Sequence, residues 1–375
     1  MNVAVRRALV PAVVLGVVLA AQPAYAGVSS TPDVTGQAAG GVYAIADAGD
    51  RTIIGGLFTR YGARARANVA AVLPNGTVDT VWNPGTNGIV KAVAVSEDKS
   101  TVYLGGLFTV AGGEPRANLA AVDAVTGQVL ADWTANTGGT TPDVNSLAVK
   151  GDRLYVGGRF GSIDGTTRKR LVALDVASGD VVTGFRPAPN GQVREVVVSP
   201  DGTTVYAGGG FTTIGGQSRA ARAAELLAST GAATAFNPSG DGGNAVTVEI
   251  SPDGSRFFYS TENNTVFAYD PEGSNSPLWS RKMSGNTQAM AAGPSGELYI
   301  GGHFSQDTTS HIKRAYFASI HYGTGALSSW DPNALGGKMG VWAFLVDGDK
   351  LHAGGLFRSF NGVQQRGYAR FSGTP

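Results

Sequence analysis

Histidine is the side chain that most often serves in metal binding and acid–base chemistry near neutral pH, and this chain contains four of them. They are His303, His311, His321 and His352. None stands in the His-x-His or His-Glu-x-x-His spacing that brings two rings onto one metal ion. A weak metal site at His303 and His311, which belong to one repeat, is the alternative. We predict structural roles for all four histidines, with no metal site and no cofactor.

The other common catalytic patterns are missing from the sequence. No Gly-x-Ser-x-Gly motif, which marks a serine nucleophile, occurs next to a usable histidine. The chain has no cysteine, so thiol catalysis, disulfides and cysteine-bound zinc are excluded. The Pro-Asp-Gly segments at Asp201 and Asp253 lack the further carboxylates that calcium requires, and we interpret them as turns. We therefore propose no catalytic residue from the sequence.

Two glutamates, Glu195 and Glu249, are the basis of an enzymatic alternative. Two carboxyl groups at a suitable separation can act as general acid and general base on a glycosidic bond. The chain would then be an extracellular hydrolase or lyase that acts on a glycan or a lactone. Side chains alternate in direction along a strand, however, and the sequence does not show that these two converge.

The motif Gly-Gly-x-Phe repeats along the chain and defines the elements that must position any site. Its copies follow one another at about 50 residues, with one longer gap, and begin at Gly55, Gly105, Gly157, Gly208, Gly301 and Gly354. The gap hides a degenerate copy, because residues 251–254 repeat the Ser-Pro-Asp-Gly of residues 199–202 and place Ser260 at the position of Gly208. The sequence therefore contains seven repeat units.

Each unit predicts four antiparallel strands, A to D, most of them joined by tight turns. In the second unit the expected strands are residues 90–96, 101–108, 118–124 and 129–133, with a longer loop between B and C. Four antiparallel strands in a repeat of this length are typical of a β-propeller blade. We therefore predict an all-β fold, a single seven-bladed β-propeller with four-stranded antiparallel blades, at residues 27–375.

The two ends of the predicted propeller complement each other. The last unit stops after strand C, near Phe371, while residues 27–33 are left over before the first unit. Pro32 stands one repeat before Pro84, in the register of strand D. An N-terminal strand in this place would complete the last blade, close the ring and remove two exposed sheet edges.

The second unit carries a family resemblance. It reads Val-Tyr-Leu-Gly-Gly-Leu-Phe-Thr, then Gly-Gly-x-x-Arg-x-x-Leu-Ala-Ala-Val-Asp, then Thr-Gly and a closing Trp, and this pattern recurs through nearly the whole chain after residue 26. It resembles the repeats of secreted bacterial β-propeller proteins of the DUF5122, or delta-60-like, family. The resemblance implies a propeller and export, and it implies no activity. The fifth unit departs from the pattern, because residues 260–265 replace the glycine pair and the long B–C loop is missing.

A variable position within the repeat marks the candidate site. The second residue of predicted strand A differs between units, while its neighbours are nearly all small or apolar; the members are Tyr43, Lys91, Asn145, Arg194, Val246, Gln288 and Trp342. Strand A lines the channel of a propeller. We predict that these side chains ring the channel mouth and that the polar and aromatic ones bind a polar ligand, such as a sugar or a peptide end. A ring that merely lines a solvated pore is the alternative.

The fifth unit is the expected side of entry for a ligand. Because the long B–C loop is missing there, we expect a notch in the rim of the channel. A ligand that enters through this notch would meet Arg194, Gln288 and Trp342, which offer a charge, an amide and a stacking face. The sequence therefore predicts that binding depends most on Arg194 and Trp342.

An arginine recurs in the B–C loop of six units, and its copies are Arg66, Arg116, Arg168, Arg219, Arg314 and Arg366. A residue repeated in equivalent loops usually does one structural job in each of them, such as holding loop carbonyl groups or a carboxylate of the neighbouring blade. A ring of anion-binding arginines is the alternative. We predict the structural role.

The first 26 residues have the pattern of a secretory signal peptide. Arg6 and Arg7 form a positive start, residues 8–21 form an apolar run, and Ala24-Tyr25-Ala26 forms a cleavage site. We predict cleavage after Ala26 and secretion, with the Sec and twin-arginine routes both open. A membrane anchor is the alternative, although the apolar run is shorter than the roughly 20 residues that a spanning helix needs.

Net charge limits the classes of partner. Cleavage would remove two of the 29 basic residues and leave 27 against 28 acidic residues. A chain with so small a net charge offers no basic field for nucleic acid or an acidic membrane, so we expect neither partner. We expect a monomer. The leading hypothesis is an exported, non-enzymatic binding or scaffold protein with a glycan, peptide or protein ligand at the channel mouth.

Overall fold

The computed structural model describes residues 27–336 and 340–373, so the predicted signal peptide at residues 1–26 lies outside the described residues. The described residues form strands, turns and loops without an α-helix among them, which confirms the prediction of an all-β fold. Glycine and β-branched residues favour strands and tight turns over helices. No helix long and apolar enough to cross a bilayer occurs in this part of the chain.

Within these residues the strands form seven sheets of one common pattern, one for each repeat unit. From unit 1 to unit 7, strand A is Ala38–Asp47, Ile89–Val95, Val144–Lys150, Val193–Val198, Ala245–Ile250, Thr287–Ala292 and Val341–Asp347. Strand B, antiparallel to A, is Thr52–Tyr61, Thr101–Leu107, Arg153–Gly158, Thr204–Gly209, Phe257–Thr261, Glu297–Gly302 and Lys350–Gly355. Strand C, antiparallel to B, is Val69–Val72, Leu119–Asp123, Leu171–Asp175, Ala223–Leu227, Thr265–Tyr269, Phe317–His321 and Tyr368–Ser372.

Strands A of successive units lie against one another, and they therefore surround the centre of the molecule. Strands B and C follow outward, because B pairs with A and C pairs with B in every unit. All seven strands A begin at one end of the molecule, which we call the mouth end, since equivalent strands of the repeat run in the same direction. The A–B turns lie at the opposite end.

Strand D differs from the prediction. A regular fourth strand, Trp279–Lys282, is present in unit 5 alone among the described units. In the others, the corresponding segment forms a single bridge to strand C, as Val129 does with Val122 in unit 2. The expectation of four regular strands in every blade was therefore wrong.

In four units the repeated arginine binds the D segment. Nη2 of Arg116 donates hydrogen bonds to the carbonyl oxygens of Leu130 at 3.1 Å and Ala131 at 3.2 Å. Arg66, Arg219 and Arg314 donate in the same way to the D segments of their own units. These carbonyl groups thus have a side-chain partner, and unit 5, which lacks the arginine, forms the regular strand. In unit 3, Arg168 donates to the carbonyl oxygen of Thr167 instead, and the D segment still forms a single bridge. The structural role predicted for the arginine column is confirmed at these four positions.

Short strands of two residues add small hairpins to the B–C loops and to two segments before strand A. They are Arg64–Ala65, Val110–Ala111, Glu114–Pro115, Thr137–Gly138, Ser162–Ile163, Thr166–Thr167, Thr213–Ile214, Gln217–Ser218, Ala334–Leu335, Ser359–Phe360 and Val363–Gln364. In unit 5, strand B turns directly into strand C at residues 262–264, so the predicted loss of the long loop is confirmed.

Close packing between neighbouring sheets explains the first glycine of the Gly-Gly-x-Phe motif. A Cβ atom on Gly105 would lie 2.5 Å from Cγ1 of Val144 in strand A of the next unit. In unit 5 this position is Ser260, whose hydroxyl donates a 2.8 Å hydrogen bond to the carbonyl oxygen of Thr287 in unit 6. The glycine lets each sheet approach the following one, and buried aliphatic and aromatic clusters fill the spaces between consecutive sheets.

Candidate functional site

A cavity of about 800 Å³ lies at the centre of the molecule, between the strands A. All seven units contribute to its wall, and the residues of the predicted variable column are together on it: Tyr43, Lys91, Asn145, Arg194, Val246, Gln288 and Trp342. Below them, the wall is mainly made of small and aliphatic side chains such as Ala92, Leu147 and Val196. The site residues that were chosen from the sequence therefore share one cavity.

A β-bulge positions these side chains. In every unit, the register between strands A and B shifts at the residue of the variable column. In unit 2, Val90 pairs with Gly106 and Ala92 pairs with Gly105, so that Lys91 has no partner in the ladder. In unit 5 the bulge holds two residues, Val246 and Thr247. A bulge releases one residue from the ladder and changes the direction of its side chain. The variable column is therefore the set of bulge residues.

The second glycine of the Gly-Gly-x-Phe motif belongs to the same feature. A Cβ atom on Gly106 would lie 2.1 Å from the carbonyl oxygen of Ile89 in strand A, which is closer than atoms in contact can approach. Gly209 in unit 4 meets the carbonyl oxygen of Gln192 at the same distance. The bulge brings the backbones of strands A and B too close for any side chain, and this explains why the motif needs a second glycine.

Three of the bulge residues reach across to the next unit. Nζ of Lys91 donates to Oδ2 of Asp143 at 2.7 Å and to Oδ1 of Asn145 at 3.4 Å. Nδ2 of Asn145 donates to the carbonyl oxygen of Val193 at 3.1 Å. These contacts link units 2, 3 and 4 at the start of their strands A. Asp143 is 2% exposed, so its charge needs the nearby ammonium group.

Arg194 makes the corresponding contact from unit 4 to unit 5. Its Nη1 donates to the carbonyl oxygen of Ala245 at 3.3 Å, and its Nη2 donates to Oε1 of Glu262. The other oxygen of Glu262 accepts from Nδ2 of Asn244 at 2.8 Å. Glu262 follows strand B of the shortened fifth unit, so the arginine spans the side where we expected a notch. Arg194 is thus already in an ion pair.

The opposite wall is aromatic. The rings of Tyr43 and Trp342 meet edge to face with their centroids 5.6 Å apart, and His303 packs edge to face on Trp342 at 5.8 Å. Burial raises the pKa of the Tyr43 hydroxyl, which is therefore protonated at neutral pH. Oε1 of Gln288 and Nε1 of Trp342 are buried without a hydrogen-bond partner among the described residues. Each can gain a hydrogen bond if its side chain rotates toward the cavity.

A second set of variable residues, which we call the outer ring, was missed as a site by the sequence analysis. It consists of the x position of Gly-Gly-x-Phe, and its members in units 1 to 7 are Leu57, Leu107, Arg159, Gly210, Glu262, His303 and Leu356. Their backbone lies beside the start of strand A, as in the hydrogen bond from Arg159 N to the carbonyl oxygen of Asp143 at 2.8 Å. The signal was present in the sequence, because this position varies while the three other motif positions are constant in every unit except the fifth.

Two carboxyl groups lie on the channel strands of neighbouring units. Burial raises the pKa of Glu195 to about 7, although hydrogen bonds from the Thr247 side chain and the Val248 amide oppose the shift. Burial raises the pKa of Glu249 to about 8, and the charge of Glu195 adds to this shift. Glu195 lines the cavity, and Glu249 is partly exposed on the neighbouring strand A. The two carboxyl groups are therefore close enough to interact electrostatically, which the sequence did not show.

Both of these carboxyl groups accept hydrogen bonds from backbone amides. Oε2 of Glu195 accepts from Val248 N at 3.1 Å, and Oε1 of Glu249 accepts from Ile250 N at 2.8 Å. Among the described residues, no group of three histidine, aspartate or glutamate side chains is placed to hold a metal ion. Of the four histidines, His352 is buried and hydrogen-bonded to the Tyr368 hydroxyl at 2.7 Å, and burial lowers its pKa to about 4. The mouth offers cations, amides, an indole and a phenol to a ligand.

Comparison with known proteins identifies the fold. No family model and no curated protein matches the sequence. Solved structures do match, and among them the crystal structure of the WD40 β-propeller domain of Doa1 has a TM-score of 0.61 over 92% of this chain and 96% of that chain. The chain is a β-propeller. The sequence identity of 13% limits this similarity to the fold.

Proposed function

We propose that this propeller is an exported, non-enzymatic binding or scaffold protein that holds a glycan, peptide or protein ligand at the channel mouth. The observation that carries the proposal is the convergence of the seven bulge residues on one cavity of about 800 Å³. A cavity of this size is typical of ligand sites, which combine apolar walls with a few polar groups. Except in unit 5, the repeat keeps a one-residue bulge and varies its side chain, which lines the cavity.

The proposal includes a ring of seven blades that is closed by the N-terminal segment. Val28 forms an antiparallel bridge with Gly373, directly after strand C of unit 7. Asp33 N donates to the carbonyl oxygen of Arg370 at 2.7 Å, and the Asp33 carboxylate accepts from the Arg370 guanidinium and the Ser372 hydroxyl. Residues 28–33 therefore occupy the place of strand D in the last unit, which supports closure.

Equivalent contacts between other units also support closure. Nε1 of Trp82 in unit 1 donates to the carbonyl oxygen of Asp123 in unit 2 at 3.1 Å. Nε1 of Trp330 in unit 6 makes the same kind of bond, at 3.1 Å, to Ser29. Gly354 of unit 7 faces Val42 of unit 1, as each first glycine faces strand A of the next unit.

Deletion of residues 27–35 tests the closed ring. We expect a large loss of stability across the whole protein, because the deletion exposes an edge of unit 7 and opens the ring. Thermal unfolding should be compared between the deletion variant and the protein that starts at Gly27. A melting temperature within a degree or two of the control would contradict closure.

Export rests on the sequence of residues 1–26 and on the repeat pattern that resembles the DUF5122 family. N-terminal sequencing of the protein from the culture medium should begin at Gly27. Retention of the first 26 residues in a membrane fraction would favour the anchor.

The mouth is tested with a glycan array and a peptide array probed by the mature protein, residues 27–375. For any ligand found, Arg194→Ala and Trp342→Ala should each weaken binding by about 1–3 kcal/mol, as loss of an arginine or aromatic anchor does. Both side chains are partly exposed, so stability should change by less than about 1 kcal/mol. Arg256→Ala, in the A–B turn at the opposite end, is the matched control. Unchanged binding by both mouth variants would place the ligand elsewhere, such as on the outer blade edges.

An enzyme that uses the channel carboxyl groups is the second candidate. The raised pKa values of Glu195 and Glu249, about 7 and about 8, favour it, because a general acid must hold its proton near neutral pH. Turnover of chromogenic glycosides and lactones by the mature protein, abolished by Glu195→Gln or Glu249→Gln, would support a hydrolase or lyase. Absence of turnover over the whole panel would leave the binding role.

A further inference from the structure

One side of the mouth presents an arc of exposed leucines. In units 7, 1 and 2, which follow one another around the proposed ring, the outer ring residue is Leu356, Leu57 and Leu107; we call these residues the leucine arc. Leu57 is 50% exposed and Leu107 is 40% exposed, while Leu356 is partly exposed. Isolated surface leucines are common, but these three occupy equivalent positions in successive units, the same units that carry Trp342, Tyr43 and Lys91 in the variable column.

The leucine arc ends at Arg159, a cation whose charge is only partly neutralised by a carboxylate. The outer ring residue of unit 3 is Arg159, whose side chain is 54% exposed. Its guanidinium lies 3.8 Å from the Asp143 carboxylate, and Lys91 already occupies the same carboxylate oxygen at 2.7 Å. Two cations therefore share one carboxylate at this point of the rim. Arg194, in contrast, has Glu262 as its own counter-ion.

We propose that the ligand of the mouth is a peptide segment of another protein, with apolar side chains on the leucine arc and a carboxylate side chain at Arg159. This inference rests on the proposed binding function and specifies its ligand. An exposed guanidinium beside a shared carboxylate gains an ion pair and hydrogen bonds from an added carboxylate. The apolar rim gains from the burial of aliphatic or aromatic side chains.

The leucine arc favours a peptide over a glycan. Sugar rings stack on aromatic faces such as Trp342, but their hydroxyl groups would lose water against aliphatic leucine side chains without a hydrogen bond in return. A peptide presents apolar and charged side chains from one backbone, at the spacing of neighbouring residues. The leucine arc offers apolar contacts to such a segment, and Arg159 offers a cation.

Labelled hexapeptide pools test the proposal by fluorescence polarisation with the mature protein. Each pool is blocked at both ends and carries Leu, Phe or Met at two positions. At two further positions one pool has Asp or Glu, the second has Asn or Gln, and the third has Lys or Arg. We expect the acidic pool to bind at least fivefold more tightly than the amide pool, and the basic pool to bind most weakly. Equal binding of the three pools, or preference for the basic pool, would overturn the proposal.

Variants separate the two parts of the surface. Leu57→Ser and Leu107→Ser should each lower the affinity for the acidic pool and for the amide pool by the same factor, about tenfold. Arg159→Gln should lower the affinity for the acidic pool to that for the amide pool, and it should leave the affinity for the amide pool unchanged. Leu278→Ser is the control, because Leu278 is also 50% exposed but lies beside the outermost strand of unit 5. Binding unaffected by both leucine variants, or by Arg159→Gln, would overturn the assignment.

A further arm distinguishes this inference from the proposed function. Neutral and acidic oligosaccharides, such as xylohexaose and oligogalacturonate, are tested in parallel with the peptide pools. If a saccharide binds in a manner that depends on Trp342 and the peptides do not bind, the mouth is a ligand site and the peptide inference fails. If light scattering shows a dimer that Leu57→Ser dissociates, the leucine arc belongs to a second copy of this chain and the inference also fails. If the peptides bind equally well to the Arg194→Ala and Trp342→Ala variants, the proposed site itself is wrong.

Discussion

Units 7, 1 and 2 present Trp342, Tyr43 and the leucine arc on one side of the mouth, whereas units 3, 4 and 5 present Arg159, Arg194 and Glu262 on the other side. We call these the apolar side and the charged side, and we count Lys91 with the charged side because its ammonium group binds Asp143 of unit 3. The backbone of units 1 to 4 and 7 has a one-residue bulge in strand A with a glycine opposite it, whereas unit 5 has a two-residue bulge and Thr261 in place of that glycine. Apart from unit 5, the difference between the two sides therefore lies in side chains.

The comparison shows how a repeat can form a specific site. On the charged side, side chains bind their neighbours: Lys91 and Arg194 have carboxylate partners in the next unit. On the apolar side, the exposed leucines have water as their neighbour. Under the proposed function, we expect a ligand to gain most of its binding free energy from the apolar side and the charged side to select among ligands by their charge.

The largest expected effect tests the shared backbone. Gly106→Ala and Gly209→Ala, one in each half of the mouth, each place a Cβ atom 2.1 Å from a strand A carbonyl oxygen. Both should lower the free energy of unfolding by about 2 kcal/mol or more, because the backbone must shift to remove the clash. Urea denaturation provides the measurement.

Gly113→Ala is the control for these two variants. Gly113 lies in the B–C loop of unit 2 with φ of 86° and with no atom within 4 Å of its added Cβ atom, so it reports the cost of conformation without a clash. We expect it to destabilise the protein by about 1 kcal/mol. If the Gly106 and Gly209 variants were no less stable than this control, the bulge would not be what requires glycine.

A smaller effect compares the carboxylates of the charged side with a leucine of the apolar side. Asp143→Ala should cost about 1–2 kcal/mol, because it removes a buried counter-ion from Lys91 and Arg159. Glu262→Ala should cost less than about 1 kcal/mol, since its pair with Arg194 is partly exposed. Leu57→Ala should be neutral within about 0.5 kcal/mol. Thermal unfolding of the three variants provides the measurement. If Leu57→Ala were the most destabilising, the expected contributions of the two sides to stability would be wrong.

The smallest effect concerns pH and extends the comparison down the channel. Glu195 and Glu249 belong to units 4 and 5, so the charged side continues below the mouth. Burial raises the pKa of Glu249 from its ordinary value to about 8, so the folded protein holds this proton more tightly than the unfolded chain does. Its contribution to stability is therefore present at low pH and is lost as the pH rises through about 8.

Glu249→Gln should remove this loss. We expect the melting temperature of the variant to rise relative to that of the parent protein as the pH is raised from about 4.5 to 8. The difference between the two curves is the measurement, because His352, whose pKa burial lowers to about 4, titrates in both proteins with the opposite sign. Glu272→Gln, at an exposed loop carboxylate, is the control. Parallel curves for Glu249→Gln and the parent would show that this carboxyl is not held protonated.

Local sequence patterns were sufficient to predict the all-β fold and the members of the variable column. The Gly-Gly-x-Phe motif and the alternation of apolar residues are set by backbone geometry and burial, and these act within one unit, so they repeat visibly. The variable second residue of strand A was detectable for the same reason. The repeated arginine also gave its structural role correctly at four positions, because the same contact with the D segment is made within units 1, 2, 4 and 6.

Only the tertiary structure decided how the units meet. The D segments were predicted as regular strands, and the sequence could not show that arginine side chains would take their carbonyl groups instead. The ion pairs of Lys91 with Asp143 and of Arg194 with Glu262 join residues that are 52 and 68 positions apart. Such contacts depend on the direction that a bulge gives to a side chain and on how closely neighbouring sheets pack. The direction of the side chain and the packing distance cannot be predicted from the local pattern of one repeat, since each depends on two units together.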